Sequence, residues 1–228
     1  MAVRVGSPNG RGGPTKPSSV GSNPTRHIFT HRSYILRILV DLDSTVCNTL
    51  PYWLNKIYER TGVLATIDDI DKWDIRNCPP LDQIHPNVAF TMTEEPGFER
   101  DIPIMPGARS ALYSFWEQCY EICLVTARAN PNSMTETADW VEQHLPFLGK
   151  KSLTFCRTKH IIQADVIIDD NPETLVTYKH HHPGSLRTGI RYPYNSFLTK
   201  NVAHLFDYGS QAWPQISATI LNRFYGVK

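Results

Sequence analysis

The stretch Ile35–Asn48, ILRILVDLDSTVCN, constrains this chain more than any other. Its apolar, β-branched run (Ile35, Leu36, Ile38, Leu39, Val40) stops at Asp41, and a second carboxylate, Asp43, follows two positions on. Such a run bounded by polar residues predicts a strand buried on both faces. Its carboxylates then emerge at the C-terminal end, where open α/β sheets place their ligands. Two acids so close repel unless a cation or a proton settles one of them. On this stretch alone, a strand followed by a solvated Asp-x-Asp turn is the plainer alternative.

The later chain repeats the pattern. Glu121–Val125, Leu153–Cys156 and Val166–Ile168 are short apolar strands; the first ends at Thr126-Ala127-Arg128 and the last at Asp169-Asp170-Asn171-Pro172. Helical spacing predicts helices over Pro51–Arg60, closed by Gly62, over Ala108–Gln118 behind Pro106-Gly107, and over Met134–Leu145. Gln211–Phe224 reads as a closing helix, and Tyr178–His182 with Thr188–Tyr194 as a further strand after a loop. Strands alternating with helices imply parallel βαβ units, so the fold class is α/β with a doubly wound parallel sheet. Residues 48–103 are aromatic and irregular, broken at Pro79-Pro80, and predict a small helical cap inserted after the first strand. The core is then 34–47 and 104–228.

Charge excludes some functions. Lys and Arg number 23 against 22 Asp and Glu, so no global field directs the chain to a nucleic acid or a membrane. Six basic residues and no acidic one precede Asp41. Residues 1–33, rich in Gly, Pro, Ser and Arg, cannot bury enough surface to offset their ordering entropy and are expected to be disordered. That extension reads as a mitochondrial presequence, an arm touching nucleic acid, or a segment without function behind a start placed too far upstream. The five cysteines show no Cys-x-x-Cys pair, which suits a reducing cytoplasm. Cys119 and Cys123 read as small core residues, and His180-His181-His182 as an exposed loop. Nothing approaches 18 consecutive apolar residues, so no membrane span is expected.

In a parallel sheet the strand ends share one edge, and Asp41, Asp43, Thr126, Asp169 and Asp170 can converge there. Lys159 lies just before the fourth strand. At about 4 Å each like-charge pair of acids costs about 4 kcal/mol even at an effective dielectric near 20. A hard divalent cation with oxygen ligands, Mg²⁺, is the natural answer, and the same cation invites a phosphate.

DLDST at Asp41–Thr45, Val125-Thr126, Lys159 and Ile167–Asp170 stand in the order of the four motifs of the haloacid dehalogenase superfamily of phosphatases. The tract from Trp140 to Asp170, with Pro106-Gly107-Ala108 and Trp213…Ile216, resembles the 5′(3′)-deoxyribonucleotidases within it. The resemblance implies a Mg²⁺-dependent phosphomonoesterase for (deoxy)nucleoside monophosphates, working through an aspartyl-phosphate. It implies Asp41 as nucleophile, Asp43 as general acid and base, and Asp41, Asp169 and the Asp43 backbone carbonyl as metal ligands, with Asp170 behind them. Thr126, Ala127, Arg128 and Lys159 would hold the phosphate, and cap aromatics Tyr52, Trp53, Trp73 and Phe98 would form the base pocket.

Two departures bear on the substrate. Ala127 stands where that family carries a Ser, and Thr49 where it carries an aromatic; Arg128 is the natural compensation as a further phosphate ligand. The resemblance further implies a small-molecule nucleotide partner and a homodimer; no stable nucleic-acid partner is expected, and the cytoplasm of a bacterium or phage-infected host is the default location, with the mitochondrion as the alternative. Two readings compete with it: the same chemistry on another small phosphoester or a polynucleotide 3′-phosphate, and a catalytically silent metal-binding interaction protein.

Overall fold

The computed structural model describes residues 35–226, so the extension at 1–33 lies outside the described residues. Six parallel strands, β1 (Arg37–Asp41), β2 (Glu121–Thr126), β3 (Leu153–Phe155), β4 (Val166–Ile168), β5 (Leu186–Arg191) and β6 (His204–Asp207), form one sheet in the order β3-β2-β1-β4-β5-β6. The order reverses between β1 and β4, which pair from Ile38 with Val166 to Val40 with Ile168. That is the switch point where doubly wound folds open a crevice for ligands.

Alternation of side chains explains why the sheet needs two covers. Ile38 and Val40 point to one face, against Leu112 and Phe115 of α3 (Ala108–Glu117), Trp140 and Val141 of α4 (Pro131–His144), and Trp213 and Ile216 of α6 (Ala212–Tyr225). Leu39 and Ile167 point to the other, against Leu175 and Tyr178 of α5 (Pro172–His181). The sheet is thus Rossmann-like.

Helix ends explain three departures from the expected elements. α4 starts one turn before Met134 because Asn130 accepts a hydrogen bond from the Asn132 N–H at 2.9 Å and Pro131 fits the first helical position. Tyr178–His182 is not strand: Asn171 caps α5 through the N–H groups of Glu173 and Thr174, with Pro172 following, and the helix runs on to His181. The histidine tract is therefore mostly the last helical turn, not a loop. β6 is an element that periodicity does not announce. Cys119 is exposed with φ +60° and is not a core residue, whereas Cys123 is half-buried and packs against the core.

The insertion between β1 and α3 holds α1 (Thr49–Thr61), ended by Gly62 at φ +72°, the short α2 (Pro86–Thr91) and single 3₁₀ turns. Its two ends are pinned together, Asn48 N–H to Pro103 C=O at 2.8 Å and Met105 N–H to Val46 C=O at 2.7 Å. Trp140 Nε1 fastens it further by donating to the Ile102 carbonyl at 2.7 Å.

Candidate active site

β1 ends in a tight loop wound on the Leu42 carbonyl, which accepts from the N–H groups of Thr45, Val46 and Cys47. Ser44, at φ +53°, turns the chain. Outside groups fix this loop: Tyr192 Oη donates to Ser44 C=O at 2.9 Å and Trp213 Nε1 to Thr45 C=O at 3.0 Å. Next to it, Gly189 of β5 lets the backbone approach Asp169, because a Cβ there would meet the Asp169 carbonyl at 1.9 Å.

The strand ends bring the expected groups together. Lys159, on a 3₁₀ turn before β4, donates to Asp41 Oδ1 at 2.6 Å and to Asp169 Oδ2 at 2.7 Å. Asp41, Asp169 and Asp170 each offer a carboxylate oxygen within 4.8 Å of the others, all buried. Asp170 also accepts from Tyr194 Oη and, at 3.5 Å, from Thr45 Oγ1. Burial pushes Asp41 well above the usual carboxylate range, against the pull of Lys159. Burial, with Asp169 beside it, takes Asp170 up to about 7. Burial alone would lower Lys159, but Asp169 and Asp41 outweigh it and raise the ammonium.

Asp43 has different company. Arg128 donates to it from Nη2 and, at 3.1 Å, from Nε; Thr49 Oγ1 donates at 2.9 Å and Thr126 Oγ1 at 3.3 Å. Burial would raise this carboxyl, but Arg128 and the Arg128 and Thr49 hydrogen bonds hold it below its ordinary value. Arg128 is itself buried, tied to Thr137 Oγ1 at 2.7 Å and to Glu99 Oε2 at 2.8 Å. Its guanidinium is taken up by these groups, so Arg128 sits as Asp43's clamp.

Two cavities meet at Asp43 and Trp73. One, of about 550 Å³, is lined by Asp41, Ala127 and Lys159 together with Arg157, Thr158, His160 and Asn171. The other, of about 230 Å³ and more apolar, runs under the insertion between Trp53, Ile75, Phe98 and Tyr194, and Glu99 and Arg128 line it too. Of the four expected pocket aromatics, Trp53, Trp73 and Phe98 reach this second cavity. Tyr52 does not: it packs edge-on against Phe98 and lines a separate hollow with Lys56 and Asp101. Sequence reasoning misses Glu99 and Tyr194, and takes Thr49 only as a departure. The Asx-like clue that marks a cap has no counterpart for a lone Glu or Tyr whose partners lie far along the chain.

An all-oxygen, buried donor set of three carboxylates suits a hard divalent cation. The charge balance agrees, since four aspartates face only Lys159 and Arg128 as cations within this cluster.

The fold and this site define a phosphate-handling α/β hydrolase. A HAD family hydrolase from Deinococcus radiodurans, solved with bound phosphate and sodium, shares the fold at TM-score 0.55, with 11% identity over 82% of this chain and 96% of that one. The sequence profile of the 5′ nucleotidase, deoxy (pyrimidine), cytosolic type C protein family matches residues 34–212, and the chain belongs to this family of phosphoric monoester hydrolases. It is 29% identical over 144 residues to a putative 5′(3′)-deoxyribonucleotidase of Staphylococcus epidermidis, covering 63% of this chain and 78% of the relative. The 5′(3′)-deoxyribonucleotidase of Clostridium acetobutylicum is 28% identical over 144 residues (61% and 76%). No helix among the described residues is long and apolar enough to cross a membrane.

Proposed function

We propose that the protein is a Mg²⁺-dependent phosphomonoesterase that dephosphorylates (deoxy)nucleoside monophosphates through an aspartyl-phosphate. The observation that carries this reading is the buried convergence of Asp41, Asp169, Asp170 and Lys159 at the sheet's switch point. Asp41, Asp169 and the Asp43 backbone carbonyl would hold the metal, with Asp170 reaching the same space. When bound, Mg²⁺ would neutralise charge as a carboxylate approaches a phosphate dianion.

Asp41 attacks phosphorus, and the P–O bond to the nucleoside breaks. Asp43, aimed by Arg128 and Thr49, gives the leaving oxygen a proton, then takes one from the water that cleaves the aspartyl-phosphate. Arg128 favours the carboxylate form of Asp43, so the proton for the leaving oxygen is taken up from solvent before the first step. Thr126, the Ala127 N–H and Lys159 stand against the phosphoryl oxygens; Lys159 also balances charge on Asp41. Positioning and charge stabilisation supply most of the acceleration in such reactions.

The cavity under the insertion, with Trp53, Trp73 and Phe98 on its walls, would take the nucleoside, and residues 48–103 act as its cap. An aromatic-lined cavity of this size favours a mononucleotide over a polynucleotide end. All five cysteines are free thiols, in keeping with a reducing cytoplasm. Phosphate release from 5′- and 3′-(deoxy)nucleoside monophosphates and an aryl phosphate, with Mg²⁺ or EDTA, beside Asp41→Asn, tests the reading. Turnover of nucleotides that disappears with EDTA and with Asp41→Asn is expected; turnover of the aryl phosphate alone would remove the nucleotide.

A further inference from the structure

One buried acid has no part in that mechanism. Glu99 belongs to the insertion, on the turn that follows Gly97, and is 6% exposed. Its Oε1 accepts from Ser133 Oγ at 2.7 Å. Its Oε2 lies 2.8 Å from Arg128 Nη2 without the alignment of a hydrogen bond, so this buried oxygen has no hydrogen-bond donor. The same Arg128 nitrogen donates to Asp43 Oδ1. One guanidinium therefore faces two carboxylates, and Asp43 takes the aligned N–H groups. Arg128 thus offers Glu99 charge but no aligned donor. A buried acceptor left without a donor is costly, and such groups ask for an explanation.

The cavity beneath the insertion supplies one. Glu99 lines it together with Asp43, Thr49 and Trp53, so a molecule bound there reaches Glu99. We propose that Glu99 Oε2 accepts a hydrogen bond from a sugar hydroxyl of the nucleoside phosphate, and so selects substrates that carry a hydroxyl close to the phosphoester. The proposal deepens the nucleotidase reading and rests on it.

Position argues for the sugar over the base. Arg128 Nη2 touches both Asp43 and Glu99, so the two carboxylates are separated by no more than two short polar contacts. Asp43 marks where the leaving oxygen lies. In a nucleoside 5′-phosphate, the 3′-hydroxyl is the nearest donor to that oxygen, and the base's N–H groups lie a sugar's length farther, toward Phe98 and Trp53. A hydroxyl also suits Glu99 chemically. Burial pushes the Glu99 carboxyl up to about 7, and a hydroxyl, being donor and acceptor at once, pairs with it in either protonation state.

The test compares kcat/KM for dUMP and for 2′,3′-dideoxyuridine 5′-phosphate, with Mg²⁺, in the wild-type chain, Glu99→Met and Glu99→Gln. A site with a buried group made to bind a hydroxyl discriminates against the analogue lacking it. Wild type is expected to prefer dUMP at least about tenfold. Glu99→Met should bring the ratio to within about threefold of unity, and Glu99→Gln, which keeps one acceptor oxygen, should fall between them. Equal ratios in wild type and Glu99→Met, or a wild-type ratio near unity, would overturn the proposal. A change in base preference without a change in this ratio would overturn it too. Should Glu99→Met fail to fold, the wild-type ratio and Glu99→Gln still decide. Turnover of both nucleotides at equal rates removes only the role of Glu99. Turnover of an aryl phosphate with neither nucleotide hydrolysed removes the nucleotidase reading and this proposal together.

Discussion

Lys159 and Asp41 lie 118 positions apart in the chain and meet through a 2.6 Å hydrogen bond, with both side chains buried. Lys159 completes the pairing with Asp169, so a single ammonium sits between two of the three carboxylates that face one another at the sheet's edge. Removing a cation from such a cluster leaves acids uncompensated.

Lys159→Met is therefore expected to cost about 3–5 kcal/mol of stability without metal. Part of that loss should return when Mg²⁺ is added, because a divalent cation would take over the neutralisation. Urea unfolding with Mg²⁺ and with EDTA reads both numbers. Equal losses in the two conditions would argue against a cation in this cluster. Activity should fall by about 10²–10³, the scale of losing one charge-stabilising donor.

Tyr194 governs the third carboxylate. Its hydroxyl donates to Asp170, and its ring meets Trp73 edge-on, with centroids 5.3 Å apart. Groups that orient a metal's neighbours commonly carry 10–100-fold of its affinity. Tyr194→Phe should weaken Mg²⁺ binding by about that factor, measured by calorimetry without substrate. An unchanged affinity would place Asp170 outside the metal's influence.

Much of this is legible in the chain itself, for definite reasons. β1, β2 and β4 are buried on both faces, so their apolar runs stand out, and their last residues have to share one edge. Asp41, Thr126 and Asp169 can thus be gathered from the order of the residues alone, while Lys159, on the turn before β4, is singled out by the motif order. α5 escapes such a reading because Tyr178 and Val176 look β-prone, and the stronger signal, Asn171 before Pro172, lies about two turns upstream of Tyr178. Arg128 reads as a phosphate ligand because its partners are invisible in the sequence: Glu99 is 29 positions away in an irregular segment, and nothing local announces a buried acid. Ion pairs of this kind depend on how an insertion folds back, which no periodicity encodes.

Arg128 gives the next prediction. It is buried between Asp43 and Glu99, so Arg128→Met should destabilise by about 3–5 kcal/mol by leaving two acids face to face. Adding Glu99→Met should recover at least about 1 kcal/mol, since it removes one of the stranded charges. A double-mutant cycle on unfolding free energies reads this coupling directly. Strictly additive losses would mean that Arg128 and Glu99 do not interact.

Glu99 also makes stability depend on pH, with a sign that can be worked out. Burial raises its carboxyl from 4.5 to about 7, against the pull of Arg128. Between those two values the folded protein keeps a proton that the unfolded chain has released. Its contribution to stability is thus complete below the unfolded value and is lost as pH rises through the folded one. Each tenfold change in proton affinity is worth about 1.4 kcal/mol, so the loss between pH 4.5 and pH 8 is at most about 3 kcal/mol. Glutamine at this position does not titrate. Glu99→Gln should therefore gain on wild type as pH rises from 5 to 8, by about 1–3 kcal/mol in urea unfolding free energy. A difference that stays flat across that range would mean that Glu99 ionises as it does in the unfolded chain, and that Arg128 compensates it in full.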